Sequence, residues 1–305
     1  MSLLQSVCSH PDEKLRQRTD EILSEEQAGF RSGRGTIDQI FTLRQIAEKY
    51  VEFGKDLYVC YIDFRKAFDS VWRDGLWSVM RHLGYPEKIV RILEDLYSET
   101  LSAVRVNGSI TEWFETLVAE SCRLAYYRHY CSTYFLKSYT IARALRNLDI
   151  GVVLGGYRLN NLCFADDIVA ICNNNQGLDA IVTSMAMESR RMGLNINIDK
   201  TETQLIGRYP GPCDIKLEGQ VLNQVEDFFY LGGLISSTGS SQPDVRRRIG
   251  LACDAVSRLA KIWKNKAISK ATKVQVYETM VLSIIVLQLG NMDIDSKDKQ
   301  TAKSF

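Results

Sequence analysis

Between residues 36 and 53, apolar side chains return every three or four positions, at Ile37, Ile40, Phe41, Leu43, Ile46 and Ala47. That stripe, following a glycine-containing loop, predicts an amphipathic helix. The pattern then changes: Leu57-Tyr58-Val59-Cys60-Tyr61-Ile62-Asp63 is a continuous apolar and aromatic run, which reads as a buried strand ending in an acid. Helices are expected over 76–83 and 87–97, split by Gly84-Tyr85-Pro86. Residues 102–106 and 113–118 should fold back on each other around Asn107-Gly108, a strong turn dipeptide. Two further apolar runs, 159–163 and 168–172, flank Phe164-Ala165-Asp166-Asp167 and predict a tight hairpin. Beyond it, 177–192 reads as helix, 194–198 and 203–206 as short strands, and the chain past Gly211 as a strand pair ending at 228–231. In the helix from Val245, one stripe holds Ile249, Ala252, Cys253, Val256, Leu259, Ala260 and Trp263. The order predicts an α+β architecture, an antiparallel sheet with helices packed on one face.

Composition narrows the classes without choosing among them. A chain of 305 residues that is 45% hydrophobic can bury a large core. A net charge of +1 gives no global basic signal, so contacts to nucleic acid would have to be local. The eight cysteines form no C-x-x-C pair and no secretory signal precedes them. They read as reduced thiols of an intracellular, non-secreted protein of the nucleus or cytoplasm, with neither disulfide scaffold nor zinc site. His10, His82 and His129 are too scattered for a metal triad. The apolar run 280–289 is too short to span a bilayer and reads as a core helix, so no membrane partner is expected.

The chemistry concentrates on acids. Asp166 and Asp167 are adjacent carboxylates on a hairpin, and like charges held that close repel unless a cation binds them. An ordinary solvated Asp turn is the other reading of that pair alone. Asp63, at the end of a buried strand, supplies a third carboxylate, and three such acids can hold two Mg²⁺ ions for in-line phosphoryl transfer.

Five segments in order carry a family resemblance. Gln27-Ala28-Gly29-Phe30-Arg31-Ser32-Gly33-Arg34-Gly35-Thr36-Ile37-Asp38-Gln39-Ile40 leads, then the stretch from Tyr61 to Trp72, then Phe164-Ala165-Asp166-Asp167. Gly193-Leu194-Asn195 through Lys200-Thr201 follows, and last comes Phe229-Tyr230-Leu231-Gly232 with the helix from Asp244 to Trp263. In these the chain resembles the reverse transcriptase of a non-LTR, LINE-type retrotransposon. The resemblance implies a polymerase right hand: partial fingers over 1–56, a palm with an antiparallel sheet over 57–208, a primer-grip-like hairpin over 209–237, a partial helical thumb over 238–290 and a polar tail over 291–305. It implies Asp63, Asp166 and Asp167 as ligands of Mg²⁺ or Mn²⁺, with an RNA template, a DNA primer and deoxynucleoside triphosphates as partners.

It also assigns roles that the residues alone leave open. Phe68 would close against the sugar 2′ position, and is otherwise a core Phe. Lys200 would act as general acid or contact the triphosphate, and is otherwise a solvated strand-end Lys. Arg31 and Arg34 would take triphosphate or template phosphates, and are otherwise surface loop residues. Tyr230, Leu231 and Gly232 would grip the primer. Arg246, Arg247, Arg258, Lys261 and Lys264 would track phosphates from the thumb, where a solvated helix face is the plainer reading.

One stretch departs from the family. Where these enzymes carry a Gln-Gly loop and a Ser-Pro-hydrophobic-Phe-Asn helix, this chain reads Glu120-Ser121-Cys122-Arg123-Leu124-Ala125-Tyr126-Tyr127-Arg128-His129-Tyr130-Cys131-Ser132-Thr133-Tyr134-Phe135. Read one nucleotide earlier, with Arg128 encoded by a CGN codon, the gene can spell GVLQACLLSPLLFNIF across this stretch. That string restores the missing motif apart from an Ala in place of Gly. A local frameshift, ended near Thr140, is therefore expected, and with it a palm that keeps its ligands but has weak or no activity. The alternatives are a non-catalytic nucleic-acid-binding remnant and a pseudogene product.

Overall fold

The computed structural model describes residues 21, 25–29, 31, 33–65, 72–98, 101–103, 105–106, 109–112, 114–115 and 137–286. In chain order, the elements that matter below are helix α1 (Thr36–Glu52), strands β1 (Leu57–Ile62) and β2 (Phe64–Arg65), and helices α2 (Arg73–His82) and α3 (Glu87–Ser98). Then come α4 (Lys137–Leu145), strands β3 (Asn161–Phe164) and β4 (Asp167–Cys172), helix α5 (Asn175–Arg191), and strands β5 (Asn195–Ile196) and β6 (Glu202–Ile206). Strands β7 (Asp227–Tyr230) and β8 (Gly233–Ser236) and helices α6 (Gln242–Arg258), α7 (Ala260–Lys264) and α8 (Lys270–Tyr277) close the list. The described residues divide into two compact units, one from 1–34, 58–203 and 213–223 and the other from 35–57, 204–212 and 224–305.

In the first unit, β1, β4 and β3 are consecutive strands of a five-stranded sheet. Both pairings are antiparallel, from Tyr58 opposite Cys172 to Ile62 opposite Ile168, and from Ala170 opposite Asn161 to Asp167 opposite Phe164. Val59, Cys60 and the run from Val169 to Cys172 are fully buried, which explains why these strands read as continuous apolar runs. Helix α5 lies against β4 and α4, burying Leu178, Ile181, Val182, Met185 and Ala186. The side chain of Asn174 caps its start by accepting from the Gly177 amide at 2.6 Å. Burial pushes the Cys60 thiol well up and the Cys213 thiol up to about 11, so both stay protonated and inert at neutral pH.

Two hairpins bear on the reading of the sequence. Arg105 lies opposite Ile110 and Val106 opposite Ser109, and Leu101 and Ser102 lie opposite Glu115 and Phe114, while the expected Asn107-Gly108 turn lies outside the described residues. Residues 152–154 and 157–159 form a second hairpin that the sequence reading passes over. Its turn residues Gly155 and Gly156 both have positive φ, 55° and 87°, so the Gly-Gly pair was the available signal.

In the second unit, β7 and β8 form a hairpin, from Asp227 opposite Ser236 to Tyr230 opposite Gly233. The helix expected to run through 245–263 breaks at Leu259 into α6 and α7. The run expected as a core helix is only partly inside: Val281 is buried, while Met280 and Leu282 are exposed on a π-helical turn. Ala252, Val256, Trp263 and Val274 line a half-open apolar cavity of about 570 Å³ among these helices. No helix among the described residues is long and apolar enough to cross a membrane.

Candidate active site and nucleic-acid elements

The β3–β4 turn carries two of the acids of the first unit. Phe164 pairs with Asp167, which leaves Ala165 and Asp166 as a two-residue loop. Ala165 has φ 53° and Asp166 is not in the left-handed region, the signature of a type II′ turn, whose first central position ordinarily takes glycine. Alanine there costs about 1–2 kcal/mol, which surrounding structure must offset.

Register brings the acids together. The β1–β4 ladder ends at Ile62 opposite Ile168, and one step further sets Asp63 across from Asp167. Cross-strand neighbours lie about 4.5–5.5 Å apart at Cα. Asp63 and Asp166 are half-buried and Asp167 is exposed. Among the described residues no three Asp, Glu, His or Cys side chains already close into a metal cage. Asp63 and Asp167 offer hard carboxylate oxygens at one end of two adjacent strands, the donor type that oxygen-seeking divalent ions take.

Asp63 is held from behind by residues the sequence reading did not single out. Asn197 Nδ2 donates to Asp63 Oδ2 at 3.2 Å, and the Asn197 amide donates to the Asp63 carbonyl at 2.8 Å. The Asp63 amide donates to the Thr201 hydroxyl at 3.3 Å, and Thr201 is fully buried. Pairing of β5 with β2 brings this loop alongside, with Ile196 opposite Phe64. Lys200 sits exposed on the same loop, its amide donating to the Asn197 carbonyl at 3.2 Å.

Residues 26–28 run along the outer edge of β3. The Ala28 amide donates to the Cys163 carbonyl at 2.9 Å and the Cys163 amide to the Glu26 carbonyl at 3.0 Å, with Gln27 bridged to Cys163 in parallel. Arg34 donates to the Glu25 carbonyl at 2.6 Å and ion-pairs with the Glu25 carboxylate, while Arg31 donates to the Gln27 carbonyl at 3.3 Å and lies 3.9 Å from Glu25. Both guanidinium groups are thus turned onto their own segment, and Arg34 holds the Glu25 carboxyl below its usual range. Phe68 lies outside the described residues, as do residues 120–136 of the departing stretch 120–140, whose last four residues open helix α4.

The second unit gathers the hairpin and helix that the resemblance assigns to the primer. Leu231 and Gly232 both have positive φ, 49° and 86°, so the β7–β8 turn is of type I′ with a strained leucine. Its carbonyl is clamped: Arg247 and Arg248 both donate to Gly232 O, at 3.0 and 2.9 Å. Asp244 organises these arginines, accepting from Arg44 at 2.6 Å, from Arg247 at 2.8 and 3.0 Å and from Arg248 at 2.9 Å. Arg44 also donates to Leu234 O and Arg248 to Ile284 O. Burial of Asp244 works to raise its pKa, but the hydrogen bonds from Arg248, Arg247 and Arg44 outweigh it and the net shift is downward. A carboxyl with a depressed folded pKa contributes stability above its unfolded value, near 3.9, and loses it as pH falls through the folded value. The stability of the second unit, followed by Trp263 fluorescence with Trp72, Trp77 and Trp113 replaced by Phe, is therefore expected to fall as the pH is lowered from about 4.

Exposure redistributes the expected contacts. Tyr230 is only 2% exposed because alternation along β7 turns it inward, and the aromatic presented to solvent is Phe229, at 59%. The Arg247 guanidinium stacks 5.1 Å from the Phe229 ring centroid, so Arg247 is engaged internally as well as half-buried. Arg258 pairs with Asp254 at 2.8 Å on an exposed face, and Arg246, Lys261 and Lys264 are exposed.

Comparison with solved structures places this geometry in the right-hand polymerase fold. An apo telomerase from Candida tropicalis truncated of its C-terminal domain matches with a TM-score of 0.53 at 14% identity, covering 76% of this chain and 44% of that one. A telomerase from Candida albicans in complex with a fragment of telomeric RNA matches with a TM-score of 0.54 at 10% identity, over 95% and 54% of the two chains. The family profile described as reverse transcriptase (RNA-dependent DNA polymerase) matches residues 3–235, and the chain belongs to that family. A probable RNA-directed DNA polymerase from transposon BS of Drosophila melanogaster is 27% identical, over 76% of this chain and 26% of its own length. The RNA-directed DNA polymerase from mobile element jockey of Drosophila funebris is 23% identical, over 84% and 28%. The chain spans about a quarter of the length of these curated relatives. Reverse transcriptases generally use divalent metal ions, and the retrotransposon relatives fit a retroelement origin.

Proposed function

We propose that this chain is an RNA-directed DNA polymerase module whose nucleotidyl transfer depends on Asp63, Asp166 and Asp167, and that the stretch 120–140 impairs it. The observation that carries the reading is the strand register that sets Asp63 across from Asp167 at the end of a buried sheet. These three carboxylates would hold Mg²⁺, or Mn²⁺ in its place, which when bound supplies charge stabilisation for in-line displacement at phosphorus. Around them, Asn197 fixes the Asp63 carboxylate through a donated hydrogen bond. Lys200, on the same loop, would meet the leaving phosphates, and Arg31 and Arg34 would exchange Glu25 for the oxygens of a deoxynucleoside triphosphate. RNA template and DNA primer would meet the second unit through exposed Phe229 and the cationic Arg246, Lys261 and Lys264.

Primer extension on an RNA template with Mg²⁺ or Mn²⁺ tests this reading. Residual extension is expected to fall to background in Asp166→Ala. Equal extension by the Asp166→Ala protein would overturn it. Salt-dependent binding of the duplex, unchanged in that variant and without extension in either protein, would instead favour a nucleic-acid-binding remnant.

A further inference from the structure

We infer that Gly29 is a positioning residue for Asp166, and that the segment Glu26–Gly29 is a strap that sets the conformation of the metal-facing turn. The inference rests on the reading of Asp63, Asp166 and Asp167 as metal ligands, but its evidence is separate. A Cβ built on Gly29 would lie 2.3 Å from the Ala165 amide nitrogen and 3.1 Å from both the Ala165 Cα and the Phe164 carbonyl carbon. All three are backbone atoms, so no side-chain rotation relieves the clash and the turn itself would have to move.

The strap has little freedom to retreat instead. Its amide and carbonyl groups are paired with Cys163 on the edge of β3, at 2.9 and 3.0 Å. Tyr157 donates its hydroxyl proton to the Glu26 carboxylate, tying the segment to a second hairpin. The Gly29 amide is turned inward and donates to Gln27 Oε1 at 3.1 Å, within a buried patch where Gln27 is 3% and Ala28 1% exposed. The glycine backbone thus presses on the one residue of the hairpin, Ala165, that stands in a left-handed conformation costly to alanine. Contact from behind is what keeps that conformation in place, and the next residue along is Asp166.

This also joins two parts of the polymerase reading. Arg31 and Arg34 follow the strap two and five residues beyond Gly29, and Arg31 donates back to the Gln27 carbonyl within it, so nucleotide binding at those arginines would act close to the segment that abuts the turn.

Three variants test the inference: Gly29→Ala, Gln27→Ala and Gly33→Ala. Gly33 lies four residues beyond Gly29 and has φ +74°, but a Cβ there meets nothing within 4 Å, so Gly33→Ala strains its own backbone without pushing on the turn. Two readouts are taken well below every melting temperature: Mn²⁺ affinity by calorimetry, and amide exchange of the 162–169 peptide in metal-free protein. Gly29→Ala is expected to weaken Mn²⁺ binding roughly tenfold or more, as loss of support to a ligating group does, and to speed exchange at the turn. Gln27→Ala, which removes only the acceptor for the Gly29 amide, should shift both in the same direction by less. It keeps the test decisive if Gly29→Ala does not fold. Gly33→Ala should lower the melting temperature and leave both readouts as in the unsubstituted protein. The inference is overturned if Gly29→Ala and Gln27→Ala leave turn exchange unchanged, or if Gly33→Ala reproduces their effects. If the unsubstituted protein binds no Mn²⁺, the metal reading fails while exchange still decides whether the strap sets the turn.

Discussion

Asp244→Ala is expected to destabilise the second unit by about 3–5 kcal/mol, the cost of leaving buried cations without their anion. Arg44 and Arg248 have side chains only 8% exposed, and both would lose the carboxylate they converge on. Both also donate to carbonyls, Arg44 to Leu234 O and Arg248 to Gly232 O and Ile284 O, but a carbonyl does not neutralise a guanidinium. The strained Leu231–Gly232 turn would loosen with them, because two of these arginines hold its carbonyl. Urea unfolding followed by Trp263 fluorescence, with Trp72, Trp77 and Trp113 replaced by Phe in every protein compared, measures the effect. Asp254→Ala, which breaks the exposed pair with Arg258, is the control and should cost no more than about 0.5 kcal/mol. A loss below about 1 kcal/mol for Asp244→Ala would mean that the cluster does not organise the hairpin.

The second large effect concerns the departing stretch. Replacing residues 120–140 with the alternate-frame sequence is expected to raise primer extension by about a hundredfold or more, because misplacing a reacting group by about 1 Å costs that much. Phosphoryl transfer depends on positioning more than on covalent help from the protein. The supporting motif would therefore act without changing Asp63, Asp166 or Asp167. Equal rates in the restored and unrestored chains would show that the stretch is not what limits the module, and a transcript unable to spell the Ser-Pro-Leu-Leu-Phe-Asn motif in the neighbouring frame would remove its origin.

The strands bearing the three acids were legible because each is apolar on both faces and ends abruptly in a carboxylate or a turn. Burial from Val169 to Cys172 is complete, so continuous hydrophobicity was the correct signal. The same property misled at the β7–β8 hairpin. Phe228, Phe229 and Tyr230 are aromatic in succession, so hydrophobicity cannot tell which ring faces solvent, and a shift of one position exchanges the two faces. The Asn197 contact to Asp63 joins residues 134 apart in sequence, and the Arg44 contact to Asp244 joins residues 200 apart. Such pairs have no local periodicity to betray them. Arg247 likewise read as a free cation on a helix face, and only the fold reveals the carboxylate, carbonyl and ring that occupy it. Gly29 stood in a recognisable motif, yet its close approach to Ala165 is a property of the folded chain alone.

The most direct measurement is a Mn²⁺ titration of the whole protein, by calorimetry or electron paramagnetic resonance, beside its Asp63→Asn and Asp166→Asn variants. Saturable binding that is lost or weakened at least tenfold in each variant, with melting temperatures preserved, is the expected result, since removing one ligand from a site of three carboxylates strips both a charge and a donor. Binding that survives undiminished in both variants would contradict a metal site built from the ends of β1 and β4.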